Sequence, residues 1–432
     1  MKRKRFYNNG NIIYQHNKKK RYHKTLEAVD DDDNHSIPEA TKEAHLKSDT
    51  NAAAAATTTA AVYEREIHII SKVESRELSE KMTGKPNRTD VVSLEFVNSC
   101  ITDSDIALLS EFPMLKSISF VMCPKITGST FNLLPISLEE VIIEECCSIT
   151  NRNMSNFHHL KNLKKLVIFK TNITLSSFNL LPTNLKELEI TGPNDFTITN
   201  VESFQMLRKL KKLTINCFHI TESIIDKFPV DIEELNLSFI TAEFTDTEIA
   251  KLQALRNLKR LKINFLLNLA KSAFGLLPIG LKELTIGMHD SIADEDIKNL
   301  RHLTSLRKLT IENVNNITGS TFNMLPISLT ELNISDAYDF TDAGIENLRH
   351  LIALRKLMIE DSSNVTGLNF NSLPPNLEKL IIFSVDNVTD TNLKKLLHLK
   401  KLKVLHLSPF VSVSPQTRDM LCEVIPQLQN SF

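Results

Sequence analysis

Four histidines, His159, His302, His350 and His398, recur at one position of a repeated unit, and six cysteines are scattered through the chain. These are the residue types that could hold a metal or supply a nucleophile. Their spacing argues against both. If successive units stack as strands, histidines two units apart lie about 10 Å from each other. A shared zinc ion needs ligands at roughly 2.0–2.3 Å. Repeated histidines on an outer surface, with the His158-His159 pair facing solvent, is the expectation. Cys147 and Cys422 lack the His/Asp company a reactive thiolate needs. No phosphate-binding Gly-rich loop, His-Glu-x-x-His or Cys-x-x-Cys occurs. No enzyme activity, cofactor or metal site is expected.

The totals point the same way. The 432 residues carry a net charge of −1 and are 42 % apolar. A core can therefore form, and no global field favours nucleic acid or an anionic membrane. Six cysteines in so long a chain are not a disulfide framework and suit a reducing compartment. The start, Met1-Lys2-Arg3-Lys4-Arg5, has no apolar h-region, and no run reaches the roughly 18 apolar residues of a membrane helix. Sequons such as Asn316-Ile317-Thr318 fall on the repeat. An intracellular location is expected; the basic stretches Lys2–Arg5 and Lys18–Arg21 read as a nuclear import signal or simply as a solvated end.

Residues 1–61 read as a disordered tail: basic, then acidic at Asp30–Asp33, then Ala/Thr-rich. Residues 62–90 read as an N-terminal cap with a helix over 63–82, because Tyr63, Ile67, Ile70, Val73 and Leu78 form an apolar stripe. Residues 411–432 read as a C-terminal cap, with a helix over Pro415–Leu428 that turns Met420, Leu421, Val424 and Ile425 toward the last repeat.

Between the caps, over 91–410, the pattern Leu-x-x-Leu-x-Ile recurs every 22 to 26 residues, as in Leu163-x-x-Leu166-x-Ile168 and Leu306-x-x-Leu309-x-Ile311. Fourteen first anchors run from Val91 through Leu115, Leu138, Leu163 and onward to Leu402. Alternate units are long and short, so that Leu258, Leu306 and Leu354 are 48 residues apart. The long unit holds a helical segment (Ile345, Leu348, Leu351) that Thr341 or Asp342 can cap. The short unit is stopped by Leu-Pro, as at Pro135, Pro182, Pro278, Pro326 and Pro374. Leu-x-Ile has the period of a strand, and one such strand is not stable alone. Stacked units pair their strands in parallel about 4.8 Å apart, and wider return segments curve the stack into a horseshoe with the sheet on the concave face.

The stretches Leu115-x-x-Ile118-x-Phe120-x-x-Cys123-x-x-Ile126-Thr127 and Leu138-x-x-Val141-x-Ile143-x-x-Cys146-x-x-Ile149-Thr150 resemble the cysteine-containing, ribonuclease-inhibitor-like leucine-rich repeats, as does Ile101-Thr102-Asp103. The resemblance implies an α/β leucine-rich repeat solenoid, with Cys123 and Cys146 as small buried thiols in the turn. It also implies a binding function. The expected role is a non-enzymatic protein–protein interaction module, with a protein partner on the concave face. Members of that subfamily are frequently substrate-recognition adapters of ubiquitin ligases, and similar arrays occur in effectors of intracellular bacteria. The adapter reading stays open, although no F-box is visible ahead of the repeats.

The outward strand positions carry a charge pattern. Glu139, Glu140, then Lys164, Lys165, and later Glu233, Glu234, then Lys259, Arg260, alternate in sign from strand to strand. Cross-strand ladders that set register are the first reading, and contact with a charged partner the second. Apolar residues at the strand ends, Phe169, Phe239, Phe265, Met288, Met358 and Phe383, with Val121 and Met122, are candidates for the partner-binding surface. Phe239 and Phe265 share one repeat offset and should be neighbours, either exposed at an interface or packed under the following loop.

Overall fold

The computed structural model describes residues 67–71 and 91–425, apart from 174, 193–196, 199–200, 218, 221–223, 242–245, 267–272, 289–291, 384, 386 and 409–410. The expected tail, 1–61, and all of the expected cap 62–90 except Ile67–Ser71 lie outside the described residues. Those described fall within one compact unit, Arg65–Phe432.

Fifteen strands form one parallel sheet in chain order, and a two-stranded parallel ladder of Thr197–Ile198 with His219–Ile220 stands beside it. Each of the fourteen anchors from Val91 to Leu402 lies two residues ahead of a strand. Register then puts like beside like: Leu309 faces Leu332, which faces Leu357, while Ile311, Ile334 and Ile359 form the parallel row. Within Glu140–Glu144, burial alternates, with Val141 and Ile143 inside. A slip by one residue would turn every such pair to solvent, so the apolar period fixes the register.

The fifteenth strand corrects the sequence reading. Where a helix was expected over 63–82, Ile67–Ser71 is a strand paired with Ser93–Val97. The segment Ile67-His68-Ile69-Ile70 is β-branched at three of four positions, and the Ser93–Val97 strand otherwise presents an unpaired row of N–H and C=O groups. At the other end the closing helix spans Pro415–Val424, with Ser414 as its N-cap. Leu421 and Ile425 are buried as expected, but Met420 points outward, 36 % exposed. Met420 lies one residue, about 100° of helical turn, off the Leu421 face.

Return segments are short. The short units hold a single 3₁₀ turn, as at Phe131–Leu133, Phe322–Met324 and Phe370–Ser372, before the Pro stop. The long units hold a brief α-turn such as Asp342–Glu346, or a 3₁₀ run such as Asn151–Phe157. A 3₁₀ turn rises about 2.0 Å per residue against 1.5 Å for an α-helix, so few residues cross the layer. Rings from these turns stack on rings from the strands: Phe96, Phe120, Phe131 and Phe157 follow one another at centroid spacings of 5.7, 5.6 and 5.1 Å.

Two polar devices bind unit to unit. Asp342 does not cap its own helix. Its carboxylate accepts from the Thr366 N–H at 3.0 Å, the Thr366 hydroxyl at 2.7 Å and the Gly367 N–H at 2.9 Å, all in the next unit. Asp294 grips Thr318 and Gly319 in the same way, and Asp103 grips Thr127 and Gly128. The histidines are the second device. His159 Nε2 lies 2.8 Å from the Leu134 carbonyl of the preceding unit and Nδ1 lies 2.9 Å from the Asn156 carbonyl. His302, His350 and His398 repeat this with Leu277, Leu325 and Leu373. His159 is therefore half-buried rather than solvent-facing, and only His158 of the pair is exposed. At four of the five Leu-Pro stops the leucine carbonyl, which lies outside any helix ladder, thus has a ring nitrogen at hydrogen-bond distance; at Leu181-Pro182 the equivalent position is Met206.

Parallel strands in unbroken chain order, one per 22–26-residue unit, with leucine anchors inside and a turn of helix behind each, make a leucine-rich repeat solenoid.

Candidate functional site

The solvent side of the sheet is the broad ordered surface of this fold, and three columns of outward side chains tile it. The first column carries the charges. Glu139, one residue ahead of its strand, receives Lys164 at 2.6 Å and Lys116 at 3.2 Å from the equivalent positions of the units on either side. Glu234 is held between Lys212 and Arg260, each at 2.7 Å. Glu331 is held between Lys356 at 2.6 Å and Lys308 at 3.1 Å, and Glu378 between Lys403 at 2.7 Å and Arg355 at 3.5 Å. Each of these four acids of the short units is thus clamped by bases of two long units, which is the cross-strand ladder expected from the charge pattern.

The clamps set protonation. Hydrogen bonds from Lys164 and then Lys116 hold Glu139 below the usual carboxylate range. Burial pushes Glu331 up, but Lys356, Lys308 and Asn333 together outweigh it and the net direction is down. Glu234 follows the same balance through Lys212 and Arg260. Glu360 goes the other way: burial first, then the Asp361 and Asp336 carboxylates, raise it. A depressed carboxylate contributes stability that is complete above its unfolded value, about 4.3, and lost as pH falls through the folded value. The raised Glu360 opposes this, one group against several. Melting temperature should therefore fall on acidification below about pH 4.5, and Glu331→Gln should flatten that fall. Thermal melts between pH 3 and pH 7 check it; an unchanged profile in the variant would remove Glu331 from the account. The clamp is partly exposed, so each pair contributes only roughly 0.2–1 kcal/mol.

The middle column runs, strand by strand, from Glu95 through Ser119, Ile142, Val167 and Glu189 to Thr214, Asn236 and Lys262. It continues through Thr285, Thr310 and Asn333 to Met358, Ile381 and His406. The third column holds Val121, Phe169, Asn264, Gly287, Glu312, Glu360 and Phe383. At Gly287 the missing side chain lets Lys262 reach across a whole strand to Glu312, at 2.6 Å.

The candidate residues do not form one patch. Phe169 is half-buried, with the Lys170 ammonium 5.3 Å from its ring centre, and belongs with Ile142 and Val167 near one end of the face. Met358 and Phe383 lie on adjacent strands near the other end, where Phe383 meets the His406 ring at 6.3 Å. Phe169 is eight strands from Met358 and nine from Phe383, about 38 and about 43 Å along the sheet. Met288 is half-buried just past its strand, with left-handed backbone. The side chains of Phe239 and Phe265 lie outside the described residues; their backbones sit on neighbouring strands where the register shifts after Ser238. The sequence reading missed Ile142, Ile381 and the polar row between the two apolar ends. The central letter of every Leu-x-Ile triplet carries that signal, because it is the outward one.

Three of the six cysteines, Cys123, Cys146 and Cys217, are buried. Cys123 and Cys146 are wholly buried, and the Cys123 N–H donates to Cys146 Sγ at 3.4 Å. The Cys123 thiol and then burial push Cys146 up, and burial pushes Cys217 up, so both stay protonated. Among the described residues, no three His, Cys, Asp or Glu side chains converge as a metal site, and no helix is long and apolar enough to cross a membrane.

No family model matches the sequence. No curated protein matches it either. Among solved structures the chain is similar to an internalin from Listeria monocytogenes, with 18 % identity over 74 % of this chain and 87 % of that one and a TM-score of 0.43. It is also similar to a leucine-rich repeat protein of Leptospira interrogans, with 16 % identity over 82 % of this chain and 98 % of that one and a TM-score of 0.44.

Proposed function

We propose that this chain is a non-enzymatic protein-interaction module that docks a partner protein on the face of its sheet, with Met358 and Phe383 as apolar anchors at one end and Phe169 at the other. One observation carries the reading. Matched ion pairs clamp Glu139, Glu234, Glu331 and Glu378 in the first column, whereas apolar side chains hold outward positions in the other two, toward both ends of the face. Matched charges keep a sheet soluble and specify little. Half-buried aromatic and Met side chains flanked by polar groups are the type that dominates protein interfaces.

The full-length chain used as bait should recover a partner by affinity purification. The paired substitutions Met358→Glu and Phe383→Glu should reduce that recovery at least tenfold. Ile327→Glu, at a residue 66 % exposed in the turn ahead of its strand, should leave it unchanged. Equal loss with Ile327→Glu, or no loss with the Met358/Phe383 pair, would overturn the assignment to this face.

A further inference from the structure

Between the two apolar ends, seven consecutive strands present only hydrogen-bonding side chains in the middle column: Glu189, Thr214, Asn236, Lys262, Thr285, Thr310 and Asn333. Within or beside this row three amide oxygens are buried and accept no hydrogen bond, those of Asn236, Asn264 and Asn333. Asn264 and Asn333 are 2 % and 6 % exposed, although both sit on the outward side of the sheet. At Asn333 the amide orientation is fixed. Its Nδ2 donates to the Glu331 carboxylate at 3.1 Å, so the oxygen is the atom left over. A buried carbonyl-type oxygen without a donor is costly and rare in a finished structure, so three on one face call for an N–H or O–H from outside. Two of the charges bordering the row are matched within the face, Lys262 with Glu312 and Glu331 with Lys308 and Lys356. Asn236 and Asn333 are four strands apart, about 19 Å, which is the length of roughly six residues of extended chain. The row ends at Met358, where an apolar side chain can follow.

We propose that the polar middle of the sheet face binds an extended polypeptide segment through its main-chain N–H groups, with the unpartnered oxygens of Asn236, Asn264 and Asn333 as the acceptors. This rests on the reading of the face as a protein-docking surface and adds what the surface recognises. Glu312 and the Asn264 amide oxygen both stand in the space that a side chain on Gly287 would fill. The probe is an acetylated, amidated hexapeptide of alternating alanine and serine, titrated into the ¹⁵N-labelled full chain while the side-chain amide signals of Asn236 and Asn333 are followed. Saturable shifts are expected. A backbone N-methylated version of the peptide should bind at least tenfold more weakly, as should the Asn236→Leu, Asn333→Leu variant with the parent peptide. Asn236→Leu alone should not lower the melting temperature, since it removes an unsatisfied group. Equal binding of the N-methylated peptide, unshifted amide signals at saturation, or the same shifts with maltohexaose would overturn main-chain recognition. A partner lost with the Met358/Phe383 pair but indifferent to the two asparagines would sink this inference and leave the docking face standing.

Discussion

Asp342→Ala should destabilise the protein by about 3 kcal/mol and split its unfolding into two steps. The carboxylate accepts three hydrogen bonds from Thr366 and Gly367 at 2.7–3.0 Å. Bonds to a charged acceptor contribute about 1.5–3 kcal/mol each, though not additively, and the alanine leaves the Thr366 and Gly367 N–H groups in a partly buried turn without a partner. Asp342→Asn keeps one acceptor oxygen and should cost about half as much. The second step follows from the architecture. A solenoid is held by interfaces between neighbouring units, so one weakened interface lets the units beyond it melt separately. Urea melts followed by circular dichroism, with the near-identical clasp at Asp294 as a second site, test both parts. A single transition of unchanged midpoint would show that the clasp contributes nothing to unit coupling.

Gly344→Ala should cost about 2 kcal/mol or more, against the helix preference that normally favours alanine over glycine by about 1 kcal/mol. A Cβ on Gly344 would collide with the Phe340 ring and stand 2.8 Å from the Thr318 carbonyl oxygen. Neither neighbour can yield. The carbonyl is main chain, and Phe340 is wholly buried and packed on Phe322 at 5.5 Å. Gly319 meets the same contact from the other side, since its Cβ would lie 2.5 Å from the Gly344 Cα, and its φ of +85° adds backbone strain. The two glycines let adjacent units touch backbone to backbone. The expected readout is a lower urea midpoint for Gly344→Ala, with a larger drop for Gly319→Ala; a stabilised Gly344→Ala protein would mean that helix propensity outweighs this contact.

The glycine pair shows where sequence reading reaches its limit. Gly319 and Gly344 are 25 residues apart and neither belongs to the Leu-x-x-Leu-x-Ile pattern. Only the stacking of units makes them neighbours. Asp342 was legible as a polar residue at a helix start, but whether it caps its own turn or grips the next unit depends on a Thr-Gly step 24 and 25 residues away. The histidines were legible as a repeat and not as staples, because their partners are backbone carbonyls, which leave no mark in a sequence. The helix expected near residue 67 failed for a related reason. Apolar spacing allowed a helix, and the free edge of the Ser93–Val97 strand favoured a strand instead.

The sequence by itself determined fourteen of the fifteen strands of the sheet, their order and their register, because an apolar period of two residues repeated fourteen times has one way to bury itself. It also determined the ladder of opposite charges, since residues at equal offsets in a parallel stack must become neighbours. Tertiary structure alone decided which outward residues stand together: Met358 beside Phe383, Phe169 eight strands or more away, and three asparagine oxygens left without donors between them. Those outcomes depend on which long side chain leans over which neighbour, as Lys262 leans across Gly287 to Glu312. Burial forces inward side chains into a single packing, whereas outward ones settle among many weak contacts that only the assembled face defines.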